Sequence, residues 1–155
     1  MKLSYEQALH KLAAYCSRGE RCTADLRKKM TNWELLPADQ NKIIDYLSKQ
    51  GFVDEVRYAR AFVHDKNKHN GWGIYKIAFE LKNKSIPKSI IDEALTTIDP
   101  TDNKERLVAL LQQKHRSVKA KNEYELRQKL TRFALGRGFT INEIEYALQV
   151  CNFSF

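Results

Sequence analysis

Disulfide frameworks, membrane spans and hairpins leave marks that this sequence lacks. Its three cysteines, Cys16, Cys22 and Cys151, are an odd and scattered set, too few for a disulfide framework and suited to a reducing compartment. No apolar run approaches the roughly 18 residues that cross a bilayer, and polar groups interrupt any signal core in the opening MKLSYEQALHKL. A cytoplasmic protein without membrane contact is expected. Asn70-Gly71 is a hairpin-type dipeptide, but its flanks do not alternate as strands do.

Catalytic signatures are missing as well. There is no Walker glycine loop, no Gly-x-Ser-x-Gly and no paired-carboxylate motif. Gly71-Trp72-Gly73 has neither a preceding strand nor the third glycine of a dinucleotide fingerprint. His64 and His69 stand five apart, which on a helix turns them roughly 140° from each other, and neither has a Cys or carboxylate at zinc-ligand spacing. The expectation is a non-enzyme with no catalytic residue, metal site or cofactor.

What the chain does have is helical periodicity and positive charge. With 155 residues and 43% apolar content it can bury a core. Its 27 Lys and Arg against 19 Asp and Glu give a net charge of +8, which favours a polyanion or an acidic protein surface as partner. Ser4 and Gln7 make a capping-box spacing ahead of Ala8, Leu9, Leu12 and Ala13. A second run carries Leu26 and Met30, and a third follows Pro37 with Ile43, Ile44 and Leu47 before Gly51.

The same arrangement returns twice. Asp54 caps a run with Tyr58, Ala59, Phe62 and Val63; Ile74, Ile77 and Leu81 follow; Ile90, Ile91, Ala94 and Leu95 come after Pro87, and Pro100 is expected to end this set. A run from near Thr101 with Leu107, Leu110 and Leu111 pauses in the polar stretch 114–121. It resumes at Asn122 with Glu125 as cap partner, then Leu126, Leu130 and Phe133; past Gly136 and Gly138, Thr140 and Glu143 open a last helix with Ile144, Ala147 and Leu148.

DLRKKM at 25–30, KIAFEL at 76–81 and ELRQKL at 125–130 mark a tandem repeat of about 50 residues. Leu26, Ile77 and Leu126 correspond, as do Met30, Leu81 and Leu130; Leu12, Phe62 and Leu110 are placed as equivalents in the first helices. The fold expected is all-α: nine helices in three three-helix repeats, at 1–51, 52–100 and 101–155, stacked as an elongated, curved array. One such unit alone would bury only a marginal core.

GFVDEVRYARAFV at 51–63 and GIYKIAFELKNKSI at 73–86 resemble the RecX family of recombination regulators. The matching residues are Gly51, Phe52, Asp54, Arg57, Ala59 and Phe62, then Gly73, Lys76, Ile77, Glu80, Leu81, Lys84 and Ile86. Arg18, Arg21, Asp25, Leu26, Lys29 and Met30 match more loosely, and Glu125, Leu126, Lys129, Leu130, Gly138 and Ile144 add the third copy. Cys22 stands where that family commonly has Ser, and Ser85 where it has a glycine; the first is expected to change a helix cap and the second a helix exit.

The resemblance implies a regulator of RecA, acting in recombination, DNA repair and the SOS response; a monomer is expected. Similar proteins lie in the groove of the RecA nucleoprotein filament, touch neighbouring subunits, and restrain filament growth, strand exchange and co-protease activity. Candidate contacts are the basic residues beside the repeat marker: Arg27, Lys28 and Lys29 in the first copy, Lys76, Lys82 and Lys84 in the second, Arg127, Lys129 and Arg132 in the third. Each would pair with acidic groups of RecA or with DNA phosphate; the plain alternative for each is a solvated helix surface.

Charge is uneven along the chain. Nine basic residues against six acidic give +3 over 1–51, eight against seven give +1 over 52–100, and ten against six give +4 over 101–155. Lys114, Arg116, Lys119 and Lys121 crowd the stretch 113–122, which reads either as a phosphate-contacting loop or as a soluble linker. Trp72 reads first as a packing residue and second as a partner anchor, and Trp33 likewise. The rival function is a helix-turn-helix protein reading duplex DNA in transcription, which would need base-reading side chains on an exposed helix face.

Overall fold

The computed structural model describes residues 1–153. Among these residues there are nine α-helices and no strand: α1 (Tyr5–Ser17), α2 (Thr23–Asn32), α3 (Pro37–Lys49), α4 (Glu55–Lys68), α5 (Ile74–Asn83), α6 (Lys88–Leu95), α7 (Pro100–His115), α8 (Glu123–Gly136) and α9 (Ile141–Cys151). The starts follow local chemistry. The Ser4 hydroxyl accepts from the Gln7 N–H while the Gln7 side chain accepts from the Ser4 N–H, and Thr140 and Glu143 repeat this reciprocal box at α9. Asp54 and Asn122 accept the Arg57 and Glu125 amides at 3.0 and 2.8 Å.

Two expectations are corrected. Pro100 does not close the second set; it is the first residue of α7, where its missing N–H costs nothing, and Asp99 caps it by accepting from Thr101 N–H at 2.8 Å. In the first helices the true equivalents of Leu12 are Val63 and Leu111, all fully buried, whereas Phe62 and Leu110 are half-buried one position earlier. Adjacent apolar residues lie 100° apart on a helix, so the sequence permits either phase and packing selects one.

The buried side chains fall into three clusters. The first joins Leu12, Leu26, Met30, Ile43 and Leu47; the second Val63, Ile77, Leu81 and Ile91; the third Leu107, Leu111, Leu126, Leu130 and Ile144. The accessible surface is 9652 Å², against roughly 8,100 Å² for a compact 18.1 kDa monomer. That excess of about a fifth fits small units laid in a row.

Each middle helix leaves through a left-handed residue: Glu34 at φ 61°, Ser85 at φ 61° and Gly138 at φ 95°. Only the last is the glycine this conformation prefers. The two junctions between units differ. Between the second and third, backbone meets backbone: Gly73 N–H donates to Arg137 O at 2.8 Å and Tyr75 N–H to Gly138 O at 2.9 Å. Buried Asn67 and Asn103 pair at 3.0 Å, and Asn103 donates onward to Glu143 at 2.6 Å.

Between the first and second units, side chains carry the polar contacts. Glu55 accepts from Thr23 N–H at 3.1 Å, Lys84 Nζ lies 2.8 Å from Asp25 Oδ1, and Arg57 Nε lies 2.5 Å from Glu20 Oε2. Cys22, with no exposed surface, is inserted into the second cluster beside Tyr58. The expected change of cap is therefore visible: the thiol of Cys22 makes no cap hydrogen bond, and Glu55 from the next unit caps α2 in its place.

Candidate partner-binding surface

The basic candidates separate into tied and unpartnered groups. Lys84 is tied to Asp25 across the first junction, an arrangement that raises the ammonium pKa above its ordinary value, chiefly through that hydrogen bond. Lys129 lies 3.0 Å from Glu125 Oε1 and donates to Lys119 O at 2.5 Å; this same bond, followed by the Lys121 N–H, holds the Glu125 carboxyl below its usual range. Both lysines have structural duties.

Three more candidates lean on aromatic rings. Lys76 Nζ sits 4.4 Å from the Trp72 ring centre, Lys29 Nζ 4.5 Å from that of Tyr15, and Lys114 Nζ 5.0 Å from that of Phe133. Trp72 itself is half-buried, edge-on to Phe62 with centroids 6.3 Å apart, and its carbonyl accepts from Asn67 at 3.0 Å. It packs, as does half-buried Trp33 against the first cluster.

The other candidates are exposed, and among the described residues their charged ends make no ion pair or hydrogen bond: Arg27 and Lys28 on α2, Lys82 on α5, Arg127 and Arg132 on α8, and Arg116, Lys119 and Lys121 between α7 and α8. The stretch 113–122 is not a plain linker. α7 continues through Lys114 to His115, and Val118 and Ala120 tuck against the third cluster, which holds Lys119 and Lys121 outward on an anchored loop.

On α8, Arg127 stands where two shallow depressions meet. One is lined by Tyr124, Gln128, Thr131, Arg132 and Leu135, the other by Asn142, Glu145, Tyr146 and Gln149. Neither is a closed pocket with converging catalytic groups, and among the described residues no cluster of His, Cys, Asp and Glu could hold a metal ion. The sequence reading missed the exposed aromatic side chains of the middle helices: Tyr75 and Phe79 on α5 and Tyr124 on α8 are 62, 61 and 71% exposed. Tyr75 and Tyr124 each stand two residues before a repeat marker, Ile77 or Leu126, a signal available once the repeat is aligned.

Family models place this architecture. The model for the second three-helix domain of RecX matches residues 54–95, and that for the third matches 102–148. A regulatory protein RecX of Vibrio campbellii is 31% identical over 132 residues, covering 85% of this chain and 83% of that protein. The chain belongs to the RecX family. Regulatory proteins RecX from two Clostridium botulinum strains are 37% and 34% identical over 100 and 117 residues. The chain matches only 46% and 54% of their lengths, so it spans about half of these relatives. A crystal structure of a regulatory protein RecX superposes with a TM-score of 0.86 at 24% identity, covering 94% of this chain and 73% of that one. RecX from Lactobacillus salivarius gives 0.83 at 19% identity, covering 96% of both chains. At these identities the likeness to solved RecX structures is one of fold: an all-α array of three-helix domains. Among the described residues, no helix is long and apolar enough to cross a membrane.

Proposed function

We propose that this chain binds the RecA nucleoprotein filament in the cytoplasm as a monomer and restrains its recombinase, ATPase and co-protease activities, and so regulates DNA repair and the SOS response. The observation that carries this reading is the placement, on the middle helix of every unit, of exposed cations that are unpartnered among the described residues: Arg27 and Lys28, Lys82, and Arg127 and Arg132. In a row of units, each offering only a few solvated charges, no single contact is strong. Binding becomes tight when several are engaged at once, which requires a partner that repeats. A filament of identical subunits meets that requirement, and membership of a family of regulatory proteins supports the choice of RecA.

The chain acts by occupancy rather than by chemistry. Its cations meet acidic groups of RecA subunits, and those on the 116–121 loop reach phosphate, adding a salt-dependent and sequence-independent contribution. The test is ATP hydrolysis and filament assembly by RecA on single-stranded DNA with substoichiometric amounts of the protein. Inhibition at ratios well below one per RecA subunit is expected. No effect at any ratio contradicts the proposal, and tight binding to one duplex sequence without RecA favours a transcriptional role instead.

A further inference from the structure

The two junctions hold equivalent parts of the repeat by different means. In both, the start of one middle helix meets the exit of the next: α2 against the end of α5, and α5 against the end of α8. At the second junction this contact is Gly73 on Gly138. A Cβ on Gly73 would lie 2.5 Å from the Gly138 carbonyl carbon, and two backbone hydrogen bonds close the gap. At the first junction the corresponding positions are Cys22 and Ser85. There the ties run through side chains instead: Glu55 accepts from Thr23 N–H and Lys84 pairs with Asp25.

Three features make the first junction the weaker. Its ion pairs are accessible: Lys84 and Asp25 are 36 and 28% exposed, so salt screens them. Its capping acceptor, Glu55, is a half-buried carboxylate rather than a fixed carbonyl. Lastly, the polypeptide that crosses it changes allegiance within one peptide. The Phe52 and Val53 amides both donate to Leu47 O in the first unit, while Asp54 already caps α4 in the second. The apolar element of this junction is Cys22, seated in the second cluster with Ala24 beside it.

We infer that the chain is a two-part device: residues 54–153 move as one body, and the first unit opens from it at Val53–Asp54 through a salt-sensitive latch, withdrawing Cys22 from the second cluster. Opening uncovers the thiol and the apolar seat it vacates while both flanking clusters stay folded. The latch is local, so its opening frequency depends on ionic strength and on Asp25, whereas the backbone-bonded second junction does not. This inference rests on the junction geometry and stands or falls independently of the RecA reading.

The experiment uses the full chain with C16S and C151S, which leaves Cys22 as the one thiol, and follows its alkylation under native conditions. Hydrogen exchange at the Gly73 and Tyr75 amides is measured in parallel. Raising NaCl from about 0.05 to about 1 M, which screens both half-exposed ion pairs, is expected to speed alkylation by up to about tenfold, and Asp25→Asn, which removes one of them, by about two- to fivefold. Exchange at Gly73 and Tyr75 should stay constant. Alkylation that ignores salt, or that rises only in step with exchange at Gly73 and Tyr75, overturns the inference, because it means that the chain opens as one cooperative unit. The salt series on the Asp25-containing chain decides the matter even if Asp25→Asn folds poorly.

Discussion

Gly73 and Gly138, 65 positions apart in the sequence, touch through their backbones: the Gly73 N–H bonds the carbonyl next to Gly138, and Gly138 accepts from Tyr75 at 2.9 Å. No side chain fits at either position. Gly73→Ala drives a methyl into the Gly138 carbonyl, and Gly138→Ala meets Lys76 N and also forces a left-handed φ of 95° on alanine. Each substitution is expected to lower stability by about 2–4 kcal/mol, measured by urea denaturation. Gly136→Ala, whose added Cβ meets nothing within 4 Å, should be neutral or slightly stabilising within its helix.

Ser85 tests the opposite case. It occupies a left-handed turn at φ 61° where glycine carries no steric penalty. Ser85→Gly should raise stability by about 0.5–1 kcal/mol, read as a higher denaturation midpoint with unchanged m-value.

Glu55 gives a pH dependence of known sign. Burial raises its carboxyl pKa above the ordinary 4.5, against the lowering effect of the bonds from Thr23. The folded state therefore holds the proton more tightly than the unfolded chain, and the cost of the buried charge is present above the folded pKa. Stability should rise as pH falls through that pKa towards 4.5. Glu55→Gln, which keeps a cap acceptor without the charge, should flatten this part of the pH profile of the urea midpoint. An identical profile in the variant would contradict the assignment.

Arg127 and Arg132 separate binding from folding. Their charged ends make no ion pair or hydrogen bond among the described residues, so Arg127→Glu with Arg132→Glu should leave the melting temperature within a few degrees and weaken filament binding by at least tenfold, by direct titration. Lys129→Glu also breaks the bonds to Glu125 and Lys119 O, so it should loosen the loop before α8 and confound any binding result.

The repeat was legible because its markers are local. Leu26 with Met30, Ile77 with Leu81, and Leu126 with Leu130 are each one helical turn apart and buried, and caps such as Ser4–Gln7 and Thr140–Glu143 lie within four residues. Relations that cross the chain were not legible. Nothing near Lys84 in the sequence announces Asp25, 59 positions away, so the tie that holds this cation could not be read in advance. Phe62 and Val63 are both apolar neighbours, and only packing decides which turns inward. Cys22 and Ser85, singled out as departures from the family pattern, proved to lie where the first junction differs from the second.

The most direct test of the central claim compares affinity for RecA in two states of assembly. A row of individually weak sites should bind the polymerised filament at least about a hundredfold more tightly than it binds isolated RecA subunits, because only the filament engages several sites together. Equal affinity for the two forms, measured under the same salt conditions, would contradict a regulator that works by spanning neighbouring subunits.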